Sequence, residues 1–171
     1  MMECNNELAD ELFLSHSGDD SQKDLFLTFE LGSEIFGIAI CNITEITGLQ
    51  GIVERSNTDK YLSGRLGFHG KSIPLIDLRS LFGMPHREYD YCSCAIIIEI
   101  DGLSAGLVVD RVREVVKIPG SDIEQVDYHS NTAVLNYAIG MKKNKDKRKV
   151  LLNVQELFAE TGKRTVERSM K

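Results

Sequence analysis

The sequence lacks the features that mark membrane proteins and secreted proteins. No run of apolar residues approaches the length of about 20 that a membrane-spanning helix needs. The first 24 residues carry acids where a secretory signal peptide would carry lysines, and they contain no long apolar core. The 171 residues are 42% hydrophobic and 27% charged, as in soluble globular proteins that bury a real core. We therefore predict a cytoplasmic protein without direct membrane insertion.

Patterns typical of enzymes and metal sites are also missing. The sequence contains no HExxH, GxSxG, GxGxxG or phosphate-loop motif. The four histidines are scattered along the chain: His16, His69, His86 and His129. Of the cysteines Cys4, Cys41, Cys92 and Cys94, the last two are spaced too closely for a usual zinc pair. These absences predict a protein that is not an enzyme, has no catalytic residue, cofactor or metal site, and keeps its cysteines as reduced structural thiols.

The net charge of −6 is concentrated at the N-terminus. Residues 1–24 hold seven acids and one base, whereas the remaining 19 acids and 19 bases cancel. This composition predicts an acidic flexible tail over residues 1–24, a folded body over residues 25–160 and a C-terminal tail over residues 161–171. In the acidic tail, Leu8, Leu12 and Phe13 either form one amphipathic turn that docks locally or are disordered, and the sequence leaves both open.

A second charged stretch lies near the other end of the chain. Residues 142–149 (KKNKDKRK) hold six bases and one acid. They could contact phosphates or another anionic partner, or they could form the solvated tip of a hairpin. Because no aromatic residue is interleaved with the bases, we favour the hairpin tip and predict no nucleic-acid partner.

Alternating apolar residues predict β-strands through most of the body. Residues 25–40 alternate with a turn at Gly32-Ser33, and residues 95–109 alternate with a turn at Asp101-Gly102. These two hairpins align at an offset of 69 residues, which pairs Gly37 with Gly106. The segments KSIPLIDLRSLF and KRKVLLNVQELF align at an offset of 76. The chain is therefore an internal duplication, with pseudo-repeats at about 25–83 and 95–158.

The duplication and its short strands predict the fold class. Many short strands with frequent glycine turns favour small closed β-barrels, so we predict an all-β protein of two tandem barrels that share a groove or a common core. Asp77 and Asn153 occupy equivalent positions and are good N-caps for a short helix at the end of each repeat. An N-cap role explains Asp77 without catalytic chemistry.

Two kinds of polar residue in the body remain open to interpretation. Glu45 and Glu114 end equivalent segments, each followed by an apolar residue, and form either a solvated face or the lip of a groove where another protein docks. His69 lies between Phe68 and Gly70; a surface or hydrogen-bonded histidine is favoured over a ligand or base, because no second ligand lies at useful spacing.

Four segments in this order resemble the family of the chemotaxis coupling protein CheW: FELGSEIFGIAICNITEI, YLSGRLGFHGKSIPLIDLR, AGLVVDRVREV and VLLNVQELF. The resemblance covers residues 25–158. It implies two small five-stranded SH3-like barrels with short helices, and a scaffold that has no active site and no cofactor. Such proteins link chemoreceptors (methyl-accepting chemotaxis proteins) to the histidine kinase CheA, binding the kinase's regulatory domain and the cytoplasmic tip of the receptor in membrane-associated arrays.

The resemblance also implies a set of partner-binding residues. It places seven residues at such positions: Ile43, Glu45, Gly64, His69, Gly106, Val112 and Val115. The family usually has NLRG where this chain has GFHG, so His69 replaces an arginine. This departure implies either a weaker contact or a changed partner, such as one in a related pathway of pilus motility or developmental signalling.

Overall fold

The computed structural model describes residues 24–49, 52–54, 62–85, 87–125, 132–144 and 147–158. These ranges contain eleven strands: β1 Leu25–Leu31, β2 Glu34–Ala39, β3 Ile43–Gly48, β4 Ile52–Glu54, β5 Leu62–Phe68, β6 Lys71–Asp77, β7 Cys94–Ile100, β8 Leu103–Val109, β9 Arg111–Lys117, β10 Ala138–Asn144 and β11 Lys147–Leu152. They also contain three one-turn α-helices, α1 Leu78–Leu81, α2 Thr132–Leu135 and α3 Val154–Leu157, and two 3₁₀ turns, Ile40–Asn42 and Gly120–Asp122. In the described part of the chain, no helix is long and apolar enough to cross a membrane. The predicted all-β class is confirmed; the two predicted tails lie largely outside the described residues.

The strands form two sheets, and each sheet combines both pseudo-repeats. Sheet A has the order β10-β11-β2-β1-β9, and sheet B has the order β3-β7-β8-β6-β5-β4. The first hairpin of repeat one, β1–β2, therefore lies in sheet A beside β11 of repeat two. The first hairpin of repeat two, β7–β8, lies in sheet B beside β6 of repeat one. Two β units are present as predicted, but each is assembled from both copies. The strand pattern within one copy does not specify this exchange, because it does not say which copy a hairpin pairs with.

The parallel junctions between the repeats explain the aligned glycines. Gly37 on β2 lies beside Leu151 on β11, and Gly106 on β8 lies beside Leu75 on β6. A Cβ atom at Gly106 would lie 2.6 Å from Leu75 Cδ2, and one at Gly37 would lie 3.0 Å from Leu151 Cδ2. Each glycine therefore lets a leucine of the other copy pack directly on the strand backbone.

The two predicted helix caps are present. The Asp77 carboxylate accepts a hydrogen bond from the Arg79 backbone N–H at 3.0 Å, and the Asn153 side chain accepts one from Glu156 N–H at 3.2 Å. Gly83 follows α1 with φ +69°, the left-handed conformation in which glycine commonly ends a helix. The sequence thus predicted where α1 and α3 begin from local chemistry.

Both sheets contribute to one large core. Phe29 and Phe36 of sheet A are fully buried, and so are Ile96 and Ile98 of sheet B in the same cluster. Phe36 also packs against Phe82, which follows α1, with ring centroids 5.5 Å apart. The expected common core is therefore present, and it is built by residues of both repeats.

A buried ion pair ties the ends of several elements together. Arg79 of α1 donates from Nε to Asp110 Oδ1 at 2.7 Å, and both side chains are nearly buried, 13% and 10% exposed. Asp110 also accepts hydrogen bonds from Gly32 N–H and from Arg87. Burial alone would raise the pKa of Asp110, but the bonds from Arg79 and Gly32 and the nearby positive charges outweigh it, so the pKa is lowered. Asp110 therefore stays ionised where the β1–β2 turn, α1 and the β8–β9 junction meet.

The cysteines correct one sequence-based prediction. Cys41 and Cys94 are free, as expected, but Cys92 is disulfide-bonded. Cys94 lies on β7, and burial is the main cause that raises the pKa of its thiol. The prediction was wrong for Cys92 because it considered only metal ligation and strand packing, and disulfide pairing cannot be deduced from the local sequence.

Candidate partner-binding site

Glu45 lies on the edge strand β3 of sheet B, next to a β-bulge. Ile43 pairs with Ile98 and Glu45 pairs with Ile97, so Thr44 is an extra residue on the β3 side. Ile43 is buried, whereas the Glu45 side chain is 34% exposed. Bulges at sheet edges redirect side chains and discourage pairing with other strands. Because of this bulge, the ionisable side chain of Glu45 lies on the surface only two residues after the buried Ile43.

His69 lies at the tip of the β5–β6 hairpin. Phe68 pairs with Lys71, which leaves His69 and Gly70 as a two-residue loop with φ values of 50° and 75°. Two positive φ values are the signature of the type I′ hairpin turn, and histidine tolerates this conformation better than most residues. The turn holds the His69 side chain outward, 75% exposed.

The fold brings Glu45 and His69 together. His69 Nε2 lies 3.2 Å from Glu45 Oε2, although the residues are 24 positions apart in sequence. The Phe68 ring packs edge-on against the imidazole, with centroids 4.2 Å apart. Arg65 on the same hairpin bonds to Ser72, which stiffens the hairpin below its tip. The result is an exposed polar pair with an aromatic neighbour on rigid backbone, an arrangement suited to binding another protein.

The sequence identified both members of this pair but did not predict their contact. It also missed Phe68 and Arg65 as the residues that support the histidine. The useful signal was the Phe-His-Gly-Lys order, since histidine followed by glycine fits a two-residue turn between two strands. Nothing in the order of residues indicates that this turn reaches β3.

The two predicted glycine positions lie beneath the surface. Gly64 is buried on β5 with φ 152°, at a register shift opposite β6. Gly106 is buried between Leu75 and Ile97. Both glycines therefore shape the backbone and its packing, and a direct contact with a partner stays a prediction for each.

Val112 and Val115 lie on the other sheet. They belong to β9 in sheet A, where they pair with Phe29 and Leu27 and pack partly buried against the main core. The structure therefore does not bring them to the Glu45–His69 pair. Their role in partner binding also stays a prediction.

The β9 strand repeats the bulge seen in β3. Arg113 and Glu114 face the single residue Thr28 of β1. The buried Thr28 hydroxyl donates to Glu114 C=O at 2.8 Å and accepts from Glu114 N–H at 3.2 Å. The aligned glutamates Glu45 and Glu114 thus both lie at a bulge on an edge strand, which the sequence repeat alone did not reveal.

The Glu45–His69 pair presents a carboxylate and an imidazole at the surface, 34% and 75% exposed. Among the described residues, no group of three or more His, Cys, Asp and Glu side chains is placed to hold a metal ion. The fold therefore defines an all-β protein of two units, with the Glu45–His69 pair on the surface of one of them.

Comparison with known proteins identifies the family. The sequence model described as CheW-like domain matches residues 25–162, so the chain belongs to the CheW-like domain family. "Chemotaxis protein CheW" of Helicobacter pylori is 30% identical over 145 residues, which cover 84% of this chain and 87% of that protein. "Chemotaxis protein CheW" of Klebsiella aerogenes is 28% identical over 134 residues, 78% of this chain and 81% of that protein.

A solved structure supports the same assignment. The crystal structure of scaffolding protein TtCheW from Thermoanaerobacter tengcongensis superimposes with a TM-score of 0.67 and 31% sequence identity. The match covers 75% of this chain and 83% of that one. The resemblance and the two-barrel fold predicted from the sequence are therefore confirmed.

Proposed function

We propose that this protein is a non-enzymatic adaptor that couples chemoreceptors to the histidine kinase CheA in bacterial chemotaxis. Its partners are the regulatory domain of CheA and the cytoplasmic tip of the receptors, and it works in the cytoplasm at membrane-associated arrays. Membership of the CheW-like family supports this proposal, because several relatives are named as chemotaxis proteins.

The contact between Glu45 and His69 is the observation that links the proposal to particular residues. Both side chains are exposed and both lie on rigid backbone, one beside a bulge and one in a tight turn. Polar groups that are already held in place before binding fix the register of an interface, and no conformational entropy is lost in ordering a loop. We therefore assign the partner contact to the surface formed by β3 and the β5–β6 turn.

Reversing the charge of Glu45 tests this assignment. Glu45→Lys should weaken binding to the CheA regulatory domain, the receptor tip or both by about tenfold or more, because losing one partner of a charge pair that becomes buried in the complex commonly costs about 2 kcal/mol or more. The melting temperature should change little, since the side chain is on the surface. Titration calorimetry with each purified partner measures the effect.

Glu99→Lys is the matched control for this charge reversal. Glu99 is exposed on β7, so the variant has the same change in net charge on the same sheet. It should bind like the wild type. A folded Glu45→Lys protein that binds both partners with wild-type affinity would exclude this surface as the contact.

His69→Arg tests the departure from the family pattern. Arginine carries a permanent charge and a fixed fork of donors, so it should tighten kinase or receptor binding several-fold. The positive φ at this position should cost the arginine variant up to about 1 kcal/mol of stability. His69→Gln is the control, because glutamine keeps a donor without the charge and should give no gain. Equal affinities for all three proteins at both partners would show that neither partner recognises the side chain at position 69.

The same histidine favours one alternative, a CheW-like coupler in pilus motility or developmental signalling. A partner adapted to a histidine need not be the chemotaxis kinase. Titrating the ¹⁵N-labelled protein with the CheA regulatory domain of its own organism discriminates the two pathways. Shifts around Glu45 and His69 at micromolar affinity support chemotaxis coupling, and an unchanged spectrum supports another kinase.

A further inference from the structure

The β10–β11 hairpin of sheet A carries bases directly opposite one another. Lys142 pairs with Lys149, and Lys143 pairs with Arg148. Like charges at opposed positions of an antiparallel ladder repel each other and destabilise the hairpin. A solvated hairpin explains why these residues are charged, but it does not explain why four charges of one sign are paired across the two strands.

The first repeat shows that the fold does not require these bases. At the offset of 76 residues, the four positions correspond to the pairs Leu66–Ile73 and Gly67–Ser72 of the β5–β6 hairpin. Leu66 and Ile73 are 3% and 4% exposed, so the equivalent hairpin forms with buried, uncharged side chains at the first of these pairs. The second repeat therefore has four positive charges at positions where the hairpin needs none.

Only part of this charge is neutralised within the chain. Lys142 Nζ donates to Asp122 Oδ2 at 3.2 Å, and Arg148 also has an interaction of its own. The two lysines of β11, Lys147 and Lys149, form no ion pair with any residue in the described part of the chain. Lys147 is exposed and Lys149 is half-buried. These two ammonium groups are therefore available to an anionic ligand.

We propose that this face of the hairpin binds an extended acidic segment of a partner protein. Lys147 and Lys149 are two positions apart on one strand, so their side chains lie on the same face, about 7 Å apart along β11. Carboxylates on alternate residues of an extended peptide have the same spacing. Two such carboxylates can therefore pair with both lysines at once, which a single small anion cannot do.

The surroundings of the lysines favour a peptide over nucleic acid. The carboxylate of Asp122 lies beside Lys142, which is opposite Lys149, so a continuous row of phosphates would meet a negative charge there. The strands Ala138–Asn144 and Lys147–Leu152 contain no aromatic side chain on which a base could stack. A peptide with separated carboxylates needs no stacking and can place an uncharged residue next to Asp122.

Fluorescence anisotropy of the full-length protein with a labelled peptide of alternating glutamate and serine tests the proposal. The peptide should bind, whereas the same peptide with glutamine in place of glutamate should not. Lys147→Gln combined with Lys149→Gln should weaken binding of the glutamate peptide several-fold, because both ion pairs are lost. Raising the salt concentration from about 0.05 to 0.5 M should weaken it by about tenfold or more, since the charges lie at the surface.

Lys71→Gln combined with Lys117→Gln is the matched control, because it removes the same charge from two exposed lysines outside the hairpin. It should bind the glutamate peptide like the wild type. Equal losses in the control and the hairpin variant would overturn the proposal, since they would show attraction by net charge alone. Tighter binding of a DNA duplex than of the glutamate peptide would also overturn it.

A thermal melt tests the premise without any ligand. Lys149→Gln should raise the melting temperature, because it removes the repulsion between Lys149 and Lys142. A lower melting temperature would show that the opposed lysines stabilise the hairpin, and the reason for a partner would then disappear. Neither experiment uses the kinase or the receptor, so a negative result here leaves the proposed coupling function unaffected.

Discussion

Replacing Asp110 by alanine is expected to lower the free energy of unfolding by about 3–5 kcal/mol, because removing one partner of a buried pair leaves the other charge uncompensated. Arg79 loses both of its bonds to the carboxylate, and Arg87 and the Gly32 N–H lose an acceptor. A loss of this size is a large fraction of the 5–15 kcal/mol that stabilises an ordinary domain. Urea unfolding monitored by circular dichroism measures it.

The exposed pair Arg113–Glu30 provides the matched control. Its side chains are 38% and 27% exposed, so Arg113→Ala should cost about 1 kcal/mol or less. Replacing both buried partners, with Arg79→Met and Asp110→Leu, should recover much of the loss because no charge is left buried. An Asp110→Ala protein as stable as Arg113→Ala would show that the buried pair contributes no more to stability than the exposed pair.

The Asp110 pair also predicts how stability depends on pH. The folded state lowers the pKa of Asp110, so this group contributes its full stability above the ordinary aspartate pKa. That contribution is lost as the pH falls through the folded-state value. Between neutral pH and this acidic range, the stability difference between wild type and Asp110→Ala should therefore shrink as acid is added.

Replacing Gly106 by valine is expected to abolish the native fold or to destabilise it by more than the 1–3 kcal/mol typical of overpacking. Even the Cβ atom would lie 2.6 Å from Leu75 Cδ2 and 3.3 Å from Ile97 Cδ1, and both of these side chains are fully buried. Gly106→Ala should cost about 1–3 kcal/mol, and Gly37→Ala should cost less because its closest contact is 3.0 Å. Thermal melts rank the variants.

Two further variants decide whether packing is the cause. Gly120→Ala adds the same methyl group where no atom lies within 4 Å, so its melting temperature should stay close to that of wild type. Combining Gly106→Ala with Leu75→Val removes the methyl group that clashes and should restore part of the loss. If Gly106→Ala and Gly120→Ala have the same melting temperature, the close approach of β6 to β8 does not constrain the residue at position 106.

These packing and charge contacts lie in the elements that support the proposed partner-binding surface. Gly106 sits where the second hairpin joins β6, and β6 leads back to the turn that carries His69. A change at Gly106 should therefore disturb the Glu45–His69 pair indirectly, through sheet B. Stability measurements on every binding variant separate this indirect effect from a direct loss of contact.

The sequence alone determined the parts of this protein that depend on neighbouring residues. The alternation of apolar residues predicted the two hairpins, and both are present. Asp101-Gly102 predicted a turn, which has two positive φ values, and Asp77 and Asn153 predicted the helix caps. The duplication and the family resemblance also followed from residue order. Each of these features is encoded within a short stretch, where propensity and hydrogen bonding act locally.

Tertiary structure decided the features that join distant parts of the chain. The two copies exchange hairpins, His69 reaches Glu45 across 24 positions, and Asp110 meets Arg79 across 31. A repeat read from sequence shows that two segments are alike, but it does not show which of them pack together. That choice depends on closing both sheets around one core, where Gly37 and Gly106 allow the leucines of the opposite copy to approach.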